Sequence, residues 1–101
     1  MIPSKTIEEL ISKHSNLEKD LSSGALDKKL FAEKSKEYSD VNEIIDSANK
    51  YLSYEKDKKE LEKILNDNSV DKELKDMAEI ELIDLKSEFE INEKKLKLFL
   101  L

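Results

Sequence analysis

Apolar residues recur at helical spacing in three stretches of the chain, which two short breaks separate. In the first stretch, residues 7–21, isoleucine and leucine follow a heptad pattern that is typical of a helix packed along one side. Thr6 and Glu9 have the spacing of a capping box at its start, although Pro3 is compatible with an earlier start. Gly24, the only glycine, can adopt the left-handed conformation that helix C-termini favour. The pattern predicts one short helix.

The second stretch is much longer, because no glycine or proline interrupts residues 26–67. Asp27 is a plausible N-cap, and one helix from there to about Asn66 would span about 60 Å at 1.5 Å per residue. The segment Tyr54–Glu60 is almost wholly polar. It indicates either a solvated part of one continuous helix or a break near Ser53. Since no breaking residue is present, the single helix is favoured.

The segment Asn66–Ser69 is the clearest turn in the chain, and either Ser69 or Asp71 can cap a third helix after it. This helix has one broad apolar face, made of Leu74, Met77, Ala78, Leu82, Leu85, Phe89, Leu96 and Phe99. A second apolar stripe consists of Ile80, Ile83, Ile91 and Leu98. Two stripes predict burial from two sides. The short connection predicts that the third helix runs antiparallel to the second.

These patterns predict an all-α fold, an elongated three-helix antiparallel bundle or coiled coil with one short and two long helices. Residues 1–101 are expected to form a single helical domain. Composition supports this view, since alanine, glutamate, lysine and leucine make up about half of the chain and 42% of its residues are charged. One glycine and one proline disfavour β-rich folds, which need many tight turns.

Charge and composition exclude several classes of protein. The chain has no cysteine, so it has no disulfide framework, thiolate zinc site or thiol nucleophile. No apolar run is long enough to cross a bilayer, and the N-terminus lacks a signal-peptide core, so we expect a cytoplasmic protein without membrane contact. The formal charge is −6 and arginine is absent, which disfavours non-specific binding to nucleic acid.

Few side chains are candidates for chemistry. His14 is the only histidine and lies one turn before Glu18, so a pH switch or a metal ligand is conceivable. A helix-contact position with a polar neighbour is the favoured interpretation of His14.

The three tyrosines are expected at packed positions. Tyr38 is expected in the core or at a helix contact, and Tyr51 and Tyr54 are expected at the boundary of the core. The many carboxylates alternate with lysines and are expected on solvated faces.

No pattern of a catalytic site is present. The chain lacks a phosphate-binding glycine loop, a Ser-His-Asp set with a plausible elbow, and a Cys-His pair. We therefore expect no catalytic residue, no metal ligand, no cofactor and no small-molecule substrate, and we expect that the chain is not an enzyme. The residues alone support an acidic, elongated interaction module.

The last residues, Leu96–Leu101, are mostly apolar, whereas chain termini are usually polar and frayed. Two interpretations follow. In the first, the chain is a truncated part of a longer protein that continues beyond this segment. In the second, it is a free-standing coiled-coil adaptor that self-associates through this apolar end.

Four segments have recognisable residue patterns, namely Ser35–Asp40, Lys58–Leu61, Asp71–Leu82 and Leu96–Leu101. In order and spacing they resemble the N-terminal domain of the bacterial class I peptide chain release factor 1 family. Asp71–Leu82 matches the family pattern best, with Lys72 where proline is usual. Ser35–Asp40 and Lys58–Leu61 precede it at the family's spacing, and Leu96–Leu101 is similar to the stretch that closes this domain. The resemblance covers nearly the whole chain in register. Lys72 leaves only the start of the third helix open.

The resemblance implies an all-helical arm of a translation termination factor. In this family the full factor recognises UAA and UAG on the ribosome and promotes peptidyl-tRNA hydrolysis through a Gly-Gly-Gln loop. The first domain leans toward the ribosomal stalk base and is implicated in contact with the translational GTPase that recycles the factor. One glycine and one proline leave no Gly-Gly-Gln loop and no Pro-x-Thr codon-reading tripeptide here. The resemblance therefore implies docking and orientation, and it carries over no individual contact residue.

Overall fold

The computed structural model describes all 101 residues and consists of three α-helices without a strand. Helix α1 covers Ser4–Ser22, α2 covers Lys28–Asn66 and α3 covers Lys72–Phe99. The molecule measures 61 × 27 × 20 Å. The predicted fold class, an elongated all-α bundle with one short and two long helices, is confirmed.

Helix α2 is continuous over its 39 residues, as the favoured interpretation predicted. At its start the Asp27 Oδ1 atom accepts a hydrogen bond from the Leu30 N–H at 2.8 Å. Ser53, the alternative site of a break, lies within the helix, and its hydroxyl donates to the Lys50 carbonyl at 3.3 Å. Before α2, Gly24 has a φ of 72°, the left-handed conformation predicted for it.

The predicted capping box at the start of α1 is wrong. The helix begins at Ser4, with Pro3 in the N-cap position and no side-chain cap. The Pro3 carbonyl accepts the Thr6 N–H at 3.0 Å, so Thr6 lies inside the first turn instead of preceding it. Proline fixes φ near its helical value and lacks an N–H, which suits it to the start of a helix.

Helix α2 lies between α1 and α3, and both neighbours run antiparallel to it. The core forms where all three helices meet, and Ile7 of α1 and Leu96 of α3 are fully buried there. Nine buried residues make up this core, namely Ile2, Ile7, Leu10, Leu17, Val41, Ile44, Ala48, Tyr51 and Leu96. The apolar pattern of the sequence thus yields one three-helix core near the middle of the long axis.

The part of the rod beyond Tyr51, hereafter the two-helix half, contains only α2 and α3. Ile2, just before α1, contacts Tyr51, so α1 covers only the first half of α2. Residues 55–66 of α2 pair with the first half of α3, and in α2 no residue after Tyr51 is buried. This explains the polar segment that the sequence showed after Tyr54, because a helix with one neighbour needs only a narrow apolar face.

Burial of α3 from two sides, which its two stripes predicted, is not found. Ala78 and Leu96 of the first stripe are buried, but the second stripe remains 51–71% exposed, at Ile80, Ile83, Ile91 and Leu98. With 3.6 residues per turn, the second stripe falls on the side of α3 opposite to α2. Because all four of these side chains are exposed, nothing in this chain covers that side of α3.

Asp71 is the N-cap of α3, and Ser69, the alternative, is not. The Asp71 Oδ1 atom accepts the Leu74 N–H at 2.9 Å, whereas the Ser69 hydroxyl donates to Asp67. We expect Asp71→Ala to lower the free energy of unfolding by about 1 kcal/mol, because it removes a cap acceptor. Ser69→Ala should change it by less than about 0.5 kcal/mol. Urea titrations of both variants test this, and a larger loss for Ser69→Ala would contradict the assignment.

Candidate docking surfaces and buried polar contacts

His14 lies at the contact between α1 and α2. Its ring stacks on Tyr38 with the centroids 4.9 Å apart, its Nε2 is 2.8 Å from the Asn42 Oδ1, and its Nδ1 is 3.6 Å from a Glu18 oxygen. The structure therefore places His14 at a helix contact with polar neighbours, the favoured interpretation. No group of three possible ligands in the chain is placed to hold a metal ion.

Tyr38 joins the same cluster and takes a position at the helix contact, as expected. Its hydroxyl donates to a Glu18 oxygen at 2.9 Å, and this hydrogen bond raises the pKa of Tyr38 above its usual value. Nearby, Lys13 pairs with Glu37 across the same two helices. These contacts fix the register of α1 on α2.

Tyr51 is a core residue, and its predicted place at the boundary is wrong. Its side chain stacks on Phe89 with the centroids 4.9 Å apart. Its hydroxyl oxygen accepts the Ile2 N–H at 2.9 Å and its O–H donates to Glu93 at 3.2 Å. Because both ends of this polar group have partners, burial costs little. Ile44, Ala48 and Tyr51 are four and three residues apart, which places them on one face of a helix. This spacing was the signal in the sequence for a core position of Tyr51.

Tyr54 takes the boundary position that was predicted for it. It is half-buried, and its ring lies 4.0 Å from that of Phe89 between centroids. The Lys58 ammonium lies 6.0 Å from the Tyr54 centroid. Tyr54 therefore closes the edge of the three-helix core on the side where the two-helix half begins.

A buried polar pair between α2 and α3 was not identified from the sequence. The Ser47 hydroxyl donates to the Asn92 Oδ1 at 3.0 Å, and both residues are buried. A buried hydrogen bond of this kind disfavours other registers, since a shift would leave both groups without partners. In the sequence, the only signal was a polar residue at each of two otherwise apolar helical positions.

The tyrosine contacts predict an alkaline loss of stability. Burial, followed by the Glu93 contacts, raises the pKa of Tyr51, and the Ile2 N–H opposes this; the pKa of Tyr38 is raised as well. The two tyrosine hydroxyls therefore ionise in the unfolded chain, near pH 10, before they ionise in the folded chain. Their contribution to the free energy of unfolding is complete below that pH and is lost as the pH rises above it.

The measurement is the urea midpoint at pH 7 and at about pH 10.5 in the wild type and in Tyr38→Phe with Tyr51→Phe. We expect the double variant to start lower at pH 7 but to lose less between the two values. Both proteins contain the same lysines and differ only in the two tyrosine hydroxyls. An equal loss in both would contradict the role given to the two hydroxyls.

Two kinds of exposed surface stand out on α2 and α3. One is the second apolar stripe described above. The other is acidic, since residues 54–90, which span most of the two-helix half, contain thirteen carboxylates and seven lysines. At the C-terminal end Leu96 is fully buried, whereas Leu98 is 71% and Leu101 100% exposed. The structure thus presents surfaces that suit contact with other macromolecules.

None of the three helices has a stretch whose length and apolar character would allow it to cross a bilayer.

A family model and several curated relatives match the chain. The PCRF domain model matches residues 10–101. Peptide chain release factor 1 of Pelagibacter ubique (strain HTCC1062) is 73% identical over all 101 residues, which span 28% of that protein. The same factor of Orientia tsutsugamushi (strain Boryong) is 41% identical over 78 residues, 77% of this chain and 21% of that protein.

A more distant relative, peptide chain release factor 1 of Alkaliphilus oremlandii (strain OhILAs), is 35% identical over 66 residues, 65% of this chain and 18% of that protein. No solved structure matches the chain. The chain spans about a quarter of the length of the curated relatives it matches. The resemblance found in the sequence motifs is confirmed by similarity to the N-terminal part of release factor 1, and the chain belongs to the PCRF domain family.

Proposed function

We propose that this chain is the N-terminal helical arm of a peptide chain release factor that directs translation termination at UAA and UAG stop codons on cytoplasmic ribosomes. The arm docks and orients the factor. Its partners are the stalk-base region of the ribosome and the translational GTPase that recycles the factor.

The observation that carries this proposal is the identity of 73% over all 101 residues to a protein named peptide chain release factor 1. The shape supports a docking role, because the rod is 61 Å long and its two-helix half extends beyond the three-helix core. The exposed apolar and acidic side chains of that half favour contact with protein over a broad grip on RNA.

The proposal assigns codon reading and peptide release to other parts of the factor. A Gly-Gly-Gln loop needs two glycines, and this chain has one. The only proline, Pro3, is followed by Ser4 and Lys5, so no Pro-x-Thr tripeptide is formed. The arm alone is therefore expected to have no hydrolytic activity toward peptidyl-tRNA.

A chimera tests the proposal. In the Pelagibacter ubique factor, this chain replaces the segment with which it aligns, and a second protein lacks that segment. Peptide release at UAA and UAG and GTP-dependent recycling are measured for both. We expect the chimera to match the parent in both steps and the shortened factor to lose recycling. A chimera that fails in both steps while it folds normally would contradict the proposal.

Self-association through the apolar C-terminal end remains a second candidate, and the exposed Leu98 and Leu101 favour it. A free-standing adaptor would then act as a dimer. Sedimentation equilibrium of the chain and of Leu98→Ser with Leu101→Ser distinguishes the two. A wild-type dimer that the substitutions convert to a monomer would support the adaptor, and a monomeric wild type would reject it.

A further inference from the structure

A groove runs between α2 and α3 in the two-helix half of the rod. It has a volume of about 400 Å³ and is open to solvent along its length. Its floor is apolar and half-buried, formed by Leu61 and Ile64 of α2 and Leu85 of α3. Residues 57–64 and 81–88 line its two sides, and each range covers about two helical turns.

Carboxylates form the rim of the groove on both sides. No lysine lies within ion-pair distance of any of them, because the lysine pairs of the structure involve Asp20, Glu37 and Glu93 instead. The rim therefore combines five carboxylates that form no ion pair, at Asp57, Glu60, Glu81, Asp84 and Glu88.

The electrostatic field of the whole chain is negative, like that of the rim. The whole chain has a formal charge of −6, and residues 54–90 alone have an excess of six carboxylates over lysines. Such a field attracts cationic partners and repels the phosphates of RNA. An apolar floor inside an acidic rim is complementary to a helix with apolar side chains on one face and lysine or arginine beside them.

We propose that this groove, hereafter the acidic groove, docks a basic amphipathic helix of a protein partner. The apolar side chains of that helix lie over Leu61, Ile64 and Leu85, and its cationic side chains pair with the rim. The proposal deepens the docking role proposed above and rests on it. It assigns the contact to one face of the two-helix half and to one class of partner.

The probe is a synthetic helix of about four turns with leucines at i, i+3 and i+4 spacing and lysines on both sides of them. Two control peptides have glutamate in place of lysine or alanine in place of leucine. Binding of each to the 101-residue chain is measured by fluorescence anisotropy at low and high salt. We expect only the parent peptide to bind well, more weakly at high salt.

Matched variants locate the binding site. The groove variant carries Glu81→Gln, Asp84→Asn and Glu88→Gln. The control variant loses the same three charges on the other side of α3, through Asp76→Asn, Glu79→Gln and Glu90→Gln. Circular dichroism verifies that both are folded. We expect the groove variant to weaken binding by about tenfold and the control variant by less than about threefold.

Three results would overturn the proposal. The first is equal weakening by both variants, since the effect would then be that of net charge. The second is unchanged binding of the alanine peptide, because the floor would then have no role. The third is that the chain forms a dimer in the absence of peptide and that the groove substitutions abolish this dimer, because a second copy would then occupy the groove. The assay contains no ribosome, so its failure leaves the chimera experiment to decide the proposed function separately.

Discussion

Replacing Leu96 with aspartate is expected to abolish the cooperative thermal unfolding transition of the chain. Leu96 is fully buried where all three helices meet. The substitution removes a buried leucine, which costs about 2–5 kcal/mol, and buries a carboxylate without a partner, which costs several kcal/mol more. Small domains have only about 5–15 kcal/mol of stability in total. The helical signal at 222 nm should therefore decline gradually with temperature.

The matched control is Leu98→Asp, the same change two residues further along α3. Leu98 is 71% exposed, so the carboxylate remains in water and the free energy of unfolding should change by less than about 0.5 kcal/mol. If Leu96→Asp unfolds with a midpoint like that of Leu98→Asp, the core does not lie where all three helices meet.

The second large effect concerns Phe89, whose ring contacts those of Tyr51 and Tyr54. Phe89 is partly buried against the core. Truncation of a fully buried aromatic residue costs about 3–5 kcal/mol, so truncation of Phe89 should cost less than that, and an aspartate in its place adds the cost of bringing a charge into an apolar contact. Leu85→Asp should act in the same direction one turn earlier. In the full-length chimera, either change should melt the arm and leave the rest of the factor folded.

We therefore expect Phe89→Asp to impair GTP-dependent recycling far more than peptide release at stop codons. Ile83→Asp, at a position 64% exposed, serves as the control and should retain both steps. The measurement is single-turnover peptide release together with multiple-turnover recycling on the same chimeric proteins. Equal loss of both steps in Phe89→Asp would contradict separate roles for the arm and the rest of the factor.

The helices could be predicted from the sequence because their ends depend on local contacts. Asp27 and Asp71 each accept a hydrogen bond from the N–H three residues ahead. Aspartate is a preferred N-cap residue, so both helix starts could be predicted from the residue type. Continuity of α2 followed from the lack of a breaking residue. At α1 the predicted capping box is absent, because Pro3 offers an earlier helix start that needs no side-chain cap.

Tertiary contacts were harder to predict from the sequence. The burial of Tyr51 depends on Ile2 and Glu93, which are distant in the chain, so its own neighbours in sequence did not settle it. Periodicity identified both apolar stripes of α3 but not which of them is covered, because that depends on the number of neighbouring helices. The acidic groove likewise combines residues from two helices, and no local motif marks it.

The three-helix core lies near the middle of the rod, and beyond Tyr51 only α2 and α3 remain paired. Native-state hydrogen exchange tests this most directly, because it measures the opening free energy of each amide. We expect the slowest exchange in residues 41–51 and 89–96, near the global limit, and faster exchange in residues 55–66 and 72–85. Equal protection in both halves, or the slowest exchange in the two-helix half, would contradict it.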